Sequence, residues 1–485
     1  MRIASVASEM VPFAQTGGLA DVAGALPAVL AGLGHQITAF LPRYRIIDAG
    51  KHLLMSRPEE IQVPLGDRTE VVRLWEGQSG GVRVILLDHD GFYGRQGLYQ
   101  ERGKDYPDNG ARFIFFSRGV LEALKVLNWK PDLVHCHDWQ TGLIPAYLKT
   151  VYGGDPFFAD VASLLTIHNM GYQGLFPAEV FPLTGLPREL FRPDGIEFWG
   201  RVNFLKAGLV YADLLSTVSV KYSEEIQTPE FGYGLDSVLR PRAGDLYGVL
   251  NGVDYRDWNP RTDPYLAATY SPDDVTGKAA CKRDVQAVMG LPTRADVPFL
   301  GVVSRLAYQK GIDLIVGIAE DLSSLDLQMV LLGTGDVDLE RRLQDLQRKF
   351  PYKLAVRIDF DVALSHKIQA GADIFLMPSR YEPCGLNQMY SLAYGTIPIV
   401  RATGGLADTI VPFDPMAGTG NGFTFTRADP WYLLQAVRRA IGVFHERAVW
   451  SRLMANAMGA DFSWERPARE YERLYQLAVE RRRSP

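Results

Sequence analysis

The chain has little cysteine: three in 485 residues, Cys136, Cys281 and Cys384, widely scattered. That excludes a disulfide framework and fits a reducing compartment. No apolar run approaches the ~20 residues needed to span a bilayer. The opening MRIASVASEM carries Glu9 and no extended apolar core, so it reads as a first strand rather than a secretion signal. These features predict a cytoplasmic protein without a membrane partner. A cationic excess is also missing. With 51 Lys and Arg against 56 Asp and Glu the net charge is -5, which argues against a nucleic-acid or membrane-surface footprint. The terminal ERRRSP is too short to alter that balance.

Several motifs are absent as well. There is no GxxxxGK[ST] and no GxSxG, which counts against a P-loop ATPase or a nucleophile-elbow hydrolase. GTGDVD at 333–338 lacks the third glycine of a dinucleotide fingerprint. No short-period repeat or low-complexity tract suggests a solenoid.

What is present is an ordinary globular balance, 47% hydrophobic and 22% charged, in a chain long enough for two or three domains. Short runs rich in Val, Ile and Leu alternate with helix-like segments, the pattern of parallel sheets covered on both faces. One series of predicted strands covers 2–7, 36–41, 82–87, 132–136, 162–167 and 214–218; a second covers 298–303, 328–332, 354–358, 373–377, 396–400 and 422–425. The expected fold is α/β, with two doubly wound Rossmann-like domains. The turn-rich stretch VLNGVDYRDWNPRTDPYL at 249–266 marks the connection between them. The expected domains are 1–247, 248–461 and a C-terminal helix within 462–485 that packs back on the first. Tyr471, Leu474, Tyr475 and Leu477 give that helix its spacing. Such sheets bind ligands at the carboxyl ends of their strands, and two facing edges would make an interdomain cleft.

The hexapeptide TGGLAD occurs twice, at 16–21 and 403–408. Each copy suits a glycine-hinged turn at a helix start, with N–H groups directed at a ligand. In VVSRLAYQKGIDLI, Arg305 and Lys310 follow an apolar strand, a placement that suits a diphosphate as well as it suits solvated loop cations. In MPSRYEPCGLNQMYSLAYG, Glu382, Cys384, Gly385 and Leu386 fall in the loop and first turn after another strand. A carboxylate there can grip sugar hydroxyls. DLVHCHDWQTGL offers His135, Cys136, His137 and Asp138, but alternate strand residues face opposite sides. A strand ending in a polar Asp138 therefore fits better than a metal cluster. LLTIHNMGYQG leaves His168 and Asn169 at another strand's end. Asp-x-Asp at 88–90, 336–338 and 359–361 is too short a pattern to establish a metal-diphosphate site.

Taken together these segments resemble the bacterial glycogen synthases and plant starch synthases, retaining glucosyltransferases of the GT-B type. The resemblance runs from TGGLADV through HDW (137–139), IHN (167–169), NGVD (251–254), SRL and QKG (304–311), GTGD (333–336) and EPCGL (382–386) to TGGLADT (403–409). It implies that glucose moves from ADP-glucose to the non-reducing end of an α-1,4-glucan, with neither cofactor nor metal. Arg305 and Lys310 would hold the diphosphate, assisted by backbone N–H groups near Gly18 and Gly405. Asp138, His168, Asn251 and Glu382 would line the glucose pocket, with Cys384, Gly385 and Leu386 close by. Gln15, Asp21, Asn169, Thr403 and Gly404 complete the implied substrate contacts. The second Glu common in the wider superfamily is replaced by Tyr390, as in the synthase branch. Members usually carry Lys just before TGGL; this chain has Gln15, which predicts weaker sugar-nucleotide binding. Oligomeric state is left open by the sequence. So is the choice between ADP-glucose and UDP-glucose, a small acceptor, or a catalytically silent glucan binder.

Overall fold

The computed structural model describes residues 1–484. They divide into two compact units, Met1–Gly252 with the segment from Trp464 onward, and Val253–Ser463. The first crossing thus falls after Gly252 rather than at 247, and the return falls at Trp464 rather than at 462.

Nine described strands form the main sheet of the first unit: β1 Arg2–Val6, β2 Gln36–Pro42, β3 Met55–Leu65, β4 Arg68–Ser79, β5 Val82–Asp88, β6 Leu133–His137, β7 Ala162–Ile167, β8 Leu214–Thr217 and β9 Leu246–Gly248. Their spatial order is β9-β8-β7-β6-β1-β2-β5-β4-β3. β1 pairs in parallel with β2 (Ile3 opposite Ile37) and with β6 (Ile3 opposite Leu133). The central strands are continuous apolar runs because helices cover both faces. β3 and β4 instead form an antiparallel extension. Their pattern is alternating: Ile61, Val63, Leu65, Val72 and Leu74 are buried while Gln62, Val71 and Arg73 are exposed, as expected of a sheet wet on one face. Gly66, at φ +64, makes the turn. Pro58, Pro64 and interspersed charges break any continuous apolar run, which is why this pair was not among the predicted strands.

Six strands form the sheet of the second unit: β10 Phe299–Val303, β11 Gln328–Leu332, β12 Leu354–Arg357, β13 Ile374–Met377, β14 Ile397–Arg401 and β15 Phe423–Phe425. All neighbours are parallel, in the order β12-β11-β10-β13-β14-β15. This is the doubly wound order with one reversal, between β10 and β13.

The last helix, Glu465–Arg483, returns to the first unit. It buries Tyr471, Leu474 and Tyr475 and half-buries Leu477; the Tyr475 hydroxyl lies 2.9 Å from His135 Nδ1 on β6. Burying a leucine such as Leu474 contributes about 1.5–3 kcal/mol, so the apolar stripe is enough to dock the helix.

Candidate active site

In the first unit the chain leaves β1 toward β2 and β6 toward β7, on opposite sides, so a switch point lies at their adjacent carboxyl ends. The loop after β1 carries Glu9, which is buried. Its Oε2 accepts the N–H groups of Thr16 (2.5 Å) and Gly17 (3.3 Å), and its Oε1 accepts the hydroxyls of Thr16 (2.7 Å) and Tyr99 (2.6 Å). Tyr99 also meets Ser8 Oγ at 2.7 Å. Burial, with the Glu9 charge adding to it, holds the Tyr99 phenol well above its ordinary pKa.

A protein carboxylate therefore takes the Thr16 and Gly17 N–H groups of the first TGGLAD. The helix Gly18–Gly32 follows with Gly17 as its N-cap, and the N–H groups of Gly18 and Leu19 fall at its open end. Gln15, exposed, donates through Nε2 to both carboxylate oxygens of Asp21, at 3.1 and 3.2 Å.

Asp138, just beyond β6, is in a conformation that almost only glycine adopts freely, φ +57 and ψ -170. Such strain costs about 1–3 kcal/mol and persists where the surroundings over-determine it. Here its N–H donates to Thr166 O (3.0 Å) and its Oδ1 accepts the His168 N–H (2.7 Å). Burial pushes its carboxyl pKa up to about 7, opposed by the backbone N–H groups of His168 and Asn169 and reinforced by Glu9. His168 Nε2 lies 2.9 Å from His137 Nδ1. Burial takes His137 down to about 3 and His168 well below its usual value, so both rings are neutral near pH 7. Asn169 Oδ1 accepts the Gly171 N–H at 2.9 Å. Asn251 is buried, and its Oδ1 has no hydrogen-bond partner among the described residues.

In the second unit, β10 and β13 are the strands at the reversal, which is why residues 72 positions apart meet. Lys310, just beyond β10, donates to both oxygens of Glu382, just beyond β13, at 2.8 and 2.6 Å. Ser379 Oγ donates to the same carboxylate at 2.9 Å. Arg305 is exposed, and its Nη2 reaches Gln309 Oε1 at 3.3 Å. Gly311, at φ +67, ends the short turn Tyr308–Lys310 and begins the helix Ile312–Gly317.

Cys384 is buried; Gly385 is at φ +71, and Leu386 caps the helix Asn387–Ala393. Gln388 in that helix donates to the carbonyls of Cys384 and Gly385, both at 3.0 Å, and so fixes the loop from behind.

The second TGGLAD departs from expectation. Thr403 is the N-cap of a helix of six residues, Gly404–Thr409, but the Gly405 N–H donates to the carbonyls of Glu382 and Pro383, each at 3.1 Å. It is not directed at a diphosphate. The reason is steric: the glycine pair lies flat against the Glu382–Cys384 backbone. A Cβ on Gly404 would stand 2.0 Å from Glu382 O, and one on Gly405 2.1 Å from Cys384 O.

The family model of the starch synthase catalytic domain matches residues 2–241, and that of glycosyl transferases group 1 matches 290–443. The glycogen synthase of Syntrophotalea carbinolica is 49% identical over 483 residues, covering 99% of each chain. The chain belongs to the glycogen synthase and starch synthase family. The glycogen synthase of Koribacter versatilis is 48% identical over 479 residues, covering 99% of this chain and 98% of that one. The catalytic domain of starch synthase IV from Arabidopsis thaliana, bound to ADP and acarbose, superposes with a TM-score of 0.92 at 34% identity over 99% of both chains. As a member of this synthase family the protein is a glucosyltransferase with the GT-B pair of Rossmann-like domains.

Motif reading named His137 but not its contact with His168, and it missed Glu9, Tyr99, Ser379 and Gln388. Glu9 carried a signal, a carboxylate three residues beyond a first strand and eight before a glycine pair. The others act through packing that no short motif encodes. Among the described residues, no group of three or more His, Cys, Asp or Glu side chains is arranged to hold a metal, and no helix is long and apolar enough to cross a membrane.

Proposed function

We propose that the protein transfers glucose from ADP-glucose to the non-reducing end of an α-1,4-glucan, retaining the anomeric configuration and using neither cofactor nor metal. The observation that carries this reading is the Lys310–Glu382 pair at the β10–β13 reversal. It puts a cation and a carboxylate in one small volume, where a sugar diphosphate needs both. The relatives named glycogen synthase, and the starch synthase with bound ADP, support the same donor and acceptor classes. Three free cysteines fit a cytoplasmic enzyme.

In this reading the second unit receives the nucleotide sugar and the first receives the glucan. Arg305 and Lys310 bind the diphosphate and stabilise the charge that grows on it as the C1–O bond stretches. Glu382, with Asp138, His168 and Asn251, contacts the glucose hydroxyls, and Cys384, Gly385 and Leu386 close around the ring. Gln15, Gly18, Asp21, Asn169, Thr403 and Gly404 complete the substrate contacts, while Gly405 serves the fold of the Glu382 loop. Near neutral pH, Asp138 populates both acid and carboxylate, so it offers a donor and an acceptor to a sugar hydroxyl. His168, being neutral, acts by hydrogen bonding rather than charge.

The acceptor C4 hydroxyl oxygen bonds to C1 on the face that the phosphate leaves. The C1–O bond to the β-phosphate breaks, and the departing phosphate oxygen takes the hydroxyl proton. Trapping a glucosyl group on Glu382 or Asp138 would replace this step with a double displacement.

The test is ADP release from ADP-glucose with glycogen, repeated with UDP-glucose and with a chelator present. Release with ADP-glucose, unaffected by chelation, is expected. Glycogen binding without ADP release would identify a silent glucan binder, a preference for UDP-glucose would reassign the donor, and chelator sensitivity would overturn the metal-free mechanism.

A further inference from the structure

Two aromatic residues of the first unit occupy backbone positions that disfavour them. Glu197–Phe198 and Arg201–Asn203 pair as antiparallel strands, with Phe198 opposite Arg201. The two residues between them, Trp199 at φ +53 and Gly200 at φ +74, form the left-handed turn that normally takes Asn-Gly. A tryptophan there is strained, and it is 83% exposed. The same dipeptide geometry recurs at Tyr233 (φ +50) and Gly234 (φ +82), with Tyr233 42% exposed.

The two turns touch. A Cβ on Gly234 would stand 2.9 Å from the Phe198 ring and 3.9 Å from Trp199 Nε1. Gln173 joins a third loop to them, donating to Tyr233 O at 3.1 Å and accepting from Asn203 Nδ2 at 2.7 Å. Its neighbour Tyr172 is 50% exposed and lies in the loop that carries His168 and Asn169. Three exposed aromatic residues thus lie on loops in contact with one another, and one of those loops carries the candidate site residues His168 and Asn169. Exposed in this way they contribute little burial, and two of them strain the backbone.

We infer that Trp199 and Tyr233, with Tyr172 between them and the site, form a glucan-docking platform that holds an acceptor chain beyond the reacting residue. Flat rings that are apolar on the face and polar at the tip suit the C–H faces and hydroxyl rims of successive glucose units. Continuity with the His168–Asn169 loop selects a chain that ends in the site rather than an unrelated partner. The inference rests on the glucan acceptor proposed above.

The test compares wild type with Trp199→Ala, Trp199→Phe and Tyr233→Ala, using native gels containing glycogen and kinetics with glycogen and with maltotriose. For the two alanine variants, glycogen retardation should fall and KM for glycogen should rise roughly three- to tenfold. KM for ADP-glucose and turnover on maltotriose should stay within about twofold of wild type, and Trp199→Phe should recover most of the loss. Both rings are exposed, and unchanged thermal unfolding will show that the variants fold. Wild-type retardation and KM in both alanine variants would overturn the platform while leaving the reaction intact. An equal rise in KM for ADP-glucose would make Trp199 a determinant of the site's shape and also overturn it. A change in solution mass on Trp199→Ala would reassign the patch to contact between copies of the chain. If wild type transfers no glucose to glycogen, the acceptor reading falls and the platform with it.

Discussion

The two copies of TGGLAD are identical in sequence and opposite in circumstance. At 16–21 the glycines are exposed, and a Cβ on Gly17 would meet nothing within 4 Å. At 403–408 both glycines are buried against the Glu382 loop, with Gly404 at φ +45. In the first copy the N–H groups ahead of the helix are taken by the Glu9 carboxylate; in the second, the Gly405 N–H is taken by main-chain carbonyls. The first copy is electrostatic and the second is steric. One local sequence sets a strand-to-helix turn, and what the turn does depends on what lies against it.

The comparison breaks most visibly at Gly405. Gly405→Ala should destabilise the second unit by about 1–3 kcal/mol or more, and should cut glucosyl transfer sharply by displacing Glu382 from Lys310. Thermal unfolding and steady-state rates measure both. A variant with wild-type rate would show that the Glu382 loop tolerates displacement.

The carboxylates of the two edges sharpen the contrast. Glu382 is paired with Lys310, whereas Asp138 is buried beside Glu9 with its pKa raised to about 7. The folded state then holds a proton that the unfolded state has lost, so stability falls as pH rises from the ordinary Asp range to about 7. Asp138→Asn removes that loss, and Asn still accepts the His168 N–H. Its stability advantage over wild type should grow by about 2–3 kcal/mol between about pH 5 and pH 8, while transfer activity drops. Chemical denaturation at the two pH values checks this; an advantage that is flat with pH would remove Asp138 as the titrating group.

Smaller effects belong to the exposed copy. Gln15→Lys restores a cation, but Asp21 stands ready to pair with it, and exposed pairs are worth about 0–1 kcal/mol. KM for ADP-glucose should fall by roughly two- to fivefold, and an unchanged or higher KM would refute the missing-charge idea. Gly17→Ala should be smallest, shifting stability by less than about 1 kcal/mol. Gly17, at φ -162, is in extended backbone that any residue adopts.

Much of this molecule was legible in the sequence. The twelve strands predicted from apolar runs are present within a residue or two at either end, because a strand buried on both faces leaves a continuous signature. Arg305, Lys310, Glu382, Asp138 and His168 were read from loops after such strands, and the structure joins Lys310 to Glu382 and Asp138 to His168. The Met55–Leu65 and Arg68–Ser79 hairpin was missed because one-sided burial alternates and is interrupted by proline and charge.

What sequence alone determined is the alternation of strand and helix, and hence which loops emerge at the carboxyl edges. That information is local, written in runs and periods a few residues long. Tertiary structure decided which of those loops meet, whether a given N–H stays open, and how far a buried carboxyl is shifted. These depend on atoms brought from distant positions, as Glu382 is to Lys310 and Cys384 is to Gly405. Satisfying every buried polar group and avoiding every clash is a property of the packed whole, which is why the same six residues hold a carboxylate at one edge and wedge a loop at the other.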